Sequence, residues 1–74
     1  IHGSEAEEIF LDNQLLVVKD NKHSETEDRF HALGKTTKNR TLFAVFTIRK
    51  DKIRIISVRI ASKAERNIYE SKRS

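Results

Sequence analysis

The chain alternates short apolar bursts with charged or turn-forming segments. Ser4-Glu5-Ala6-Glu7 has the Ser-x-x-Glu form in which a hydroxyl caps a first helical turn and a carboxylate reaches back to it. With Ile9 and Phe10 following, it predicts a short helix over about residues 5–11, ended near Asp12-Asn13. Gln14 to Lys19 is a compact run with β-branched residues and predicts a strand. Asp20 to Asp28 is polar and aperiodic, so it predicts a connecting loop, mobile unless something binds it.

Arg29 to Lys35 predicts a second strand and Thr36 to Arg40 a turn. Thr41 to Ile48 predicts a third strand, apolar on both faces as a central strand should be. Arg49 to Lys52 is a polar turn of hairpin length, and Ile53 to Ile60 predicts a fourth strand. Short links between the last three strands favour antiparallel neighbours. Ser62-Lys63-Ala64-Glu65 is a second capping box and opens a helix from about Lys63 to Ser71. Ala61, Ala64 and Ile68 are spaced as its apolar face, and Arg66 and Glu70 as a pair. The order predicts an α+β domain: an antiparallel sheet of about four strands, a short N-terminal helix and a C-terminal helix, with the helices on one face.

At 74 residues this is one small domain with a thin core. The absence of cysteine excludes disulfides and Cys-based zinc sites, so stability comes from packing. No apolar run approaches the roughly 20 residues that span a bilayer, and the chain reads as soluble and intracellular. Charge is unevenly spread. Residues 1–28 carry eight acidic side chains against two lysines, and residues 29–74 carry thirteen Lys or Arg against Asp51, Glu65 and Glu70. A basic second half favours polyanions such as nucleic acid, and the acidic first half is either inert or a second surface for a basic partner.

The chemistry concentrates in the last strand and helix. Strict alternation groups Arg54 with Ile56, Val58 and Ile60, and Arg59 with Ile53, Ile55 and Ser57, so the two arginines fall on opposite faces. Arg59 lies at the strand end beside Lys63 and the free N–H groups of the helix start, a favourable place for phosphate. Two readings stay open, a phosphate clamp and a solvated sheet face. Glu65 is the capping partner of Ser62, whatever else it does. Tyr69, one turn on, could stack on a base, pass a proton, or simply pack with its hydroxyl wet. None of His2, His23 and His31 has metal-ligand spacing, so no metal site is expected. His31, between Phe30 and Ala32, could act as a base if it faces a groove, or be an ordinary strand histidine. There is no Ser/His/Asp set and no glycine-rich phosphate loop; Gly3 and Gly34 are the only glycines.

Several segments resemble, in order and spacing, the BrnT family, toxins of type II toxin–antitoxin systems with a fold similar to RelE and ParE. They are Glu5-Ala6-Glu7-Glu8-Ile9-Phe10-Leu11-Asp12, Asp20 through His23 leading to Glu27-Asp28-Arg29-Phe30, and Ala32-Leu33-Gly34-Lys35. The most specific is Arg54-Ile-Ile-Ser57-Val-Arg59-Ile-Ala61-Ser62, followed by Glu65-Arg66 and Tyr69-Glu70. Family members usually open with an aromatic-Trp-Asp segment and a Lys- and Asn-rich helix ending in Lys-His-Gly, of which at most His2-Gly3 survives here. The expectation is therefore one BrnT-like domain over residues 1–74 that lacks the family's N-terminal segment, with residues 1–4 a candidate cloning remnant.

The resemblance implies a RelE-like fold and a metal-independent, cofactor-free endoribonuclease acting in the cytoplasm and arresting growth. It implies RNA as substrate and a BrnA-like antitoxin as neutralising partner, with DNA contacted only through that antitoxin. The ribose 2′-OH would attack the adjacent phosphate, which needs cations on the non-bridging oxygens, a base and an acid. Arginine cannot serve as the base. Arg59 and Arg54 would stabilise charge, Glu65 or Tyr69 would transfer protons, and His31 would stand in reserve. Lys35, Lys63 and Arg66 would contact RNA. The alternative is a non-catalytic nucleic-acid- or protein-binding module using the same basic surface, or a decayed toxin kept for partner binding.

Overall fold

Four runs of β-branched and aromatic residues pair in chain order to make the sheet. The structure, a computed structural model, describes residues 3–20, 22 and 28–73. His2, His23 and most of the polar connector after the first strand lie outside the described residues. Helix α1 covers Gly3–Glu8 and runs into a single 3-10 turn, Ile9–Leu11. Strands β1 (Leu16–Asp20), β2 (Arg29–Lys35), β3 (Thr41–Arg49) and β4 (Lys52–Ile60) follow, then helix α2 (Lys63–Arg73). The sheet order is β1-β2-β3-β4 with every neighbouring pair antiparallel, so β1 and β4 are edges. The α+β class and the four strands are those expected. Ser4 sits inside α1 rather than capping it, because the helix begins at Gly3.

Register assigns the two faces. On one, Ala32, Leu42, Ala44 and Phe46 receive Ile9, with Phe10, Leu15, Phe30 and Val58 around them. Phe10 meets Phe46 edge-on at 5.2 Å, and Phe30 stacks on it at 5.4 Å. Gly34 is required here by close approach, since a Cβ at this position would lie 2.6 Å from the Ile9 Cβ and 3.0 Å from its carbonyl oxygen. On the other face Leu33, Leu16 and Phe43 pack against Ala61 and Tyr69. The helices thus lie on opposite faces, not on one as expected. The apolar stripe of α2 is also rotated from the expected one. Ala61, just before the helix, and Tyr69 within it are buried, whereas Ala64 is exposed and Ile68 is 52% exposed.

Most described acidic residues of the first half are used internally. The buried Glu5 carboxylate accepts from Arg40, at 3.0 Å from Nε, and from the Thr36 hydroxyl. Glu8 accepts from the N–H and hydroxyl of Thr37, which hold its carboxyl below the usual range. One Asp12 oxygen accepts from the Lys35 N–H at 2.9 Å and from the Tyr69 hydroxyl, tying the N-terminal segment to β2 and α2 together. Glu5, Glu8 and Asp12 are therefore engaged within the fold. At the β3–β4 turn, Lys50 (φ 49°) and Asp51 (φ 66°) adopt the left-handed backbone that two-residue hairpin loops demand, without a glycine.

Candidate nucleic-acid interface

The pairing of β3 with β4 slips once. Phe46 faces Ile55 but Val45 faces Ser57, leaving Ile56 as the extra residue of a β-bulge. Below the bulge Arg54 opposes Thr47, and above it Arg59 opposes Phe43. Phe43, Val45 and Thr47 alternate onto one face of β3, so Arg54 and Arg59 share that face. Strict alternation had put them on opposite faces; the extra residue reverses the parity between them.

The shared face is the one α2 only partly covers. Helix α2 lies over Leu16, Leu33 and Phe43 at one end. Beyond it, register places Val18, His31, Val45 and Ser57 in one row across the sheet, and Asp20, Arg29, Thr47 and Arg54 in the next. Thr47 is buried there because its hydroxyl donates to the Asp28 carbonyl at 2.6 Å.

Arg59 is held on two sides. Its Nη1 and Nη2 donate to the two Glu65 carboxylate oxygens, and its guanidinium lies 4.4 Å above the Phe43 ring. Glu65 also accepts the Ser62 N–H at 2.8 Å, while the Ser62 hydroxyl accepts the Glu65 N–H at 3.2 Å. The capping box expected from sequence is thus formed and shares its carboxylate with Arg59. Donation from Arg59 holds the Glu65 carboxyl below the usual range, against a smaller opposing effect of burial and with help from the Ser62 N–H. The same pair raises Arg59. Glu65 is therefore a fixed anion that orients a cation.

His31 brings a second carboxylate to the face. Its Nε2 lies 3.0 Å from Asp20 Oδ2 across the β1–β2 ladder, and its ring meets Phe43 edge-on at 5.2 Å. When Nε2–H donates to Asp20, Nδ1 carries the ring's lone pair.

The remaining candidates are dispersed. Tyr69 is buried, its hydroxyl against Asp12 and its ring under the Lys35 ammonium. Lys35 pairs with Glu70 at 3.2 Å. Lys35, Arg66 and Glu70 line a cavity of ≈ 310 Å³ with Asn39, Arg40 and Ile60. Lys63 is exposed in the first turn of α2. Two contributors escaped the sequence reading: Asp20, assigned to a loop, and Phe43, assigned only to a strand core. Their positions depend on partners in other strands, which no local pattern reveals.

This constellation ends at the start of α2. The profile of the family described as ribonuclease toxin, BrnT, of type II toxin-antitoxin system, matches residues 1–65. The chain belongs to the BrnT family. The BrnT match runs from α1 through β4 to Glu65, and so takes in Arg54, Arg59, the bulge between them and the capping box. Tyr69 lies past it. No curated protein matches the chain. Among the described residues no helix is long and apolar enough to cross a membrane, and no cluster of His, Asp and Glu could hold a metal ion.

Proposed function

We propose that this BrnT-family chain cleaves RNA on the open face of its sheet, without a metal ion. The ribose 2′-OH attacks the adjacent phosphate, forming a 2′,3′-cyclic phosphate and releasing a 5′-hydroxyl end. The observation that carries the reading is the bulge at Ile56, which brings Arg54 and Arg59 onto one face with His31. Arg59, aimed by Glu65 and supported by Phe43, stabilises the charge that grows on a non-bridging oxygen. Arg54 holds a neighbouring phosphate. His31, braced by Asp20, accepts the 2′-OH proton, and water protonates the leaving 5′-oxygen. Glu65 acts by orienting Arg59, and Tyr69 acts by fixing α2 through Asp12. Lys35, Lys63 and Arg66 add phosphate contacts outside the reacting centre. The same reading includes growth arrest in the cytoplasm and neutralisation by a BrnA-like antitoxin, with DNA reached only through that partner.

One observation favours a second reading. Both charged arms of Arg59 are already engaged by Glu65, as suits a binding module that holds RNA without cutting it. Incubating the purified protein with RNA in EDTA separates the two. Cleavage that falls by about 100-fold or more in Arg59→Ala, at an unchanged thermal midpoint, supports the nuclease. Shifted but intact RNA supports the binder, and unchanged cleavage in Arg59→Ala removes Arg59 from the site.

A further inference from the structure

Beside Arg59 the sheet and α2 enclose a groove of ≈ 260 Å³. Leu16, Leu33 and Phe43 form its floor, and His31 and Glu65 supply its polar atoms. Its walls are Val18 on β1 and Ile68 on α2, which stay 65% and 52% exposed although both border an apolar cleft. Ile68 occupies the helix position that spacing alone would assign to the core. We infer that this groove is a nucleobase subsite, seating one unstacked base of single-stranded RNA between Val18 and Ile68. The inference rests on the RNA reading above and adds where a base sits.

Charge and shape together select this occupant. The groove is lined mainly by apolar side chains, with polar atoms only from His31 and Glu65, as suits a base with flat apolar faces and polar edges. At one end the Glu65 carboxylate is neutralised by Arg59, and Arg54 adds a further cation on the same face that pairs with no carboxylate among the described residues. An occupant is therefore apolar where it enters and anionic toward the surplus cation, which describes a nucleotide with its base in the groove and a phosphate toward Arg54. The Phe43 ring already carries the guanidinium at 4.4 Å and the His31 ring at 5.2 Å, so a base entering beside them extends an existing array of planar groups.

The probe is a 2′-O-methyl RNA oligonucleotide, which lacks the attacking hydroxyl, carrying one 2-aminopurine moved along its length. Fluorescence at one or two positions should change on binding, and an abasic nucleotide there should weaken binding roughly tenfold. Val18→Ser combined with Ile68→Ser changes exposed side chains only, so the fold should persist by circular dichroism. It should weaken binding by a similar factor while leaving the salt slope, which counts phosphate contacts, unchanged. Binding without a fluorescence change at any position, or with full affinity in the double variant, overturns the inference. So does a double variant that keeps RNA affinity but loses an acidic partner protein, which would make the groove a protein site. Cleavage of unmodified RNA is read in parallel. If the base docks and no RNA is cut, the nuclease reading fails and the subsite stands.

Discussion

Arg59 and Glu65 meet through two hydrogen bonds, 2.7 and 2.9 Å long, across the corner where β4 gives way to α2. One carboxylate therefore both closes the helix cap and aims the guanidinium over Phe43.

These two duties separate by mutation. Glu65→Gln keeps an acceptor for the Ser62 N–H but removes the charge facing Arg59, so RNA cleavage should fall about tenfold, with a small loss of stability at neutral pH. Ser62→Ala should do the reverse, lowering stability by about 1 kcal/mol while the folded protein cleaves at near wild-type rate. Equal activity losses in both variants would sink the separation.

Acid should undo the pair. The Glu65 carboxyl is held below its ordinary value of 4.5, so the unfolded chain binds its proton first as pH falls. The stability contributed by the pair is complete above that value and is lost as pH drops through the lowered folded value. Urea midpoints of wild type and Glu65→Gln, compared from neutral pH to about pH 3, should converge at the acid end. A gap that widens with acid would contradict the pairing.

Tyr69→Phe removes the hydroxyl bonded to Asp12 from a buried ring. The expected cost is about 1 kcal/mol in chemical denaturation, with cleavage retained by the folded protein. A loss of activity of about 100-fold at unchanged stability would instead put the hydroxyl in the reaction.

Deletion of Ile56 removes the one residue of β4 that has no partner across the ladder. It should leave Arg54, Ser57 and Arg59 on one face, so the protein should fold and bind RNA. Insertion of alanine after Ile56 shifts residues 52–56 again and should impair both. Circular dichroism and an RNA gel shift on the two variants test this; an unfolded deletion variant with a well-folded insertion variant would refute the bulge.

Much of the sheet was readable because its strands are short apolar runs between turn-formers; the bounds of β2 follow from Arg29 and Lys35 as expected. The cap at Ser62 was readable because both partners sit within one turn. The site was less so. Ile55-Ile56 offers two successive apolar residues, and either can point inward without breaking the hydrophobic pattern. The bulge is decided by the facing strand, where Phe46 takes Ile55. Tyr69 was hidden for a similar reason, because Asp12, which satisfies its hydroxyl, lies 57 residues earlier in the chain. The placement of α1 depends on the space that Gly34 leaves for Ile9, a contact between opposite ends of the first half.

The unpaired Ile56 also bears on how relatives of this chain are compared. A strand's faces follow a parity count, and here the count is reset at one codon. A relative with β4 one residue shorter can present the same two arginines to the same side. Placing the alignment gap outside the stretch from Arg54 to Arg59 would displace one of the two arginines and exchange inward and outward positions between the gap and Ile56. The error would turn a shared basic surface into an apparent loss of one.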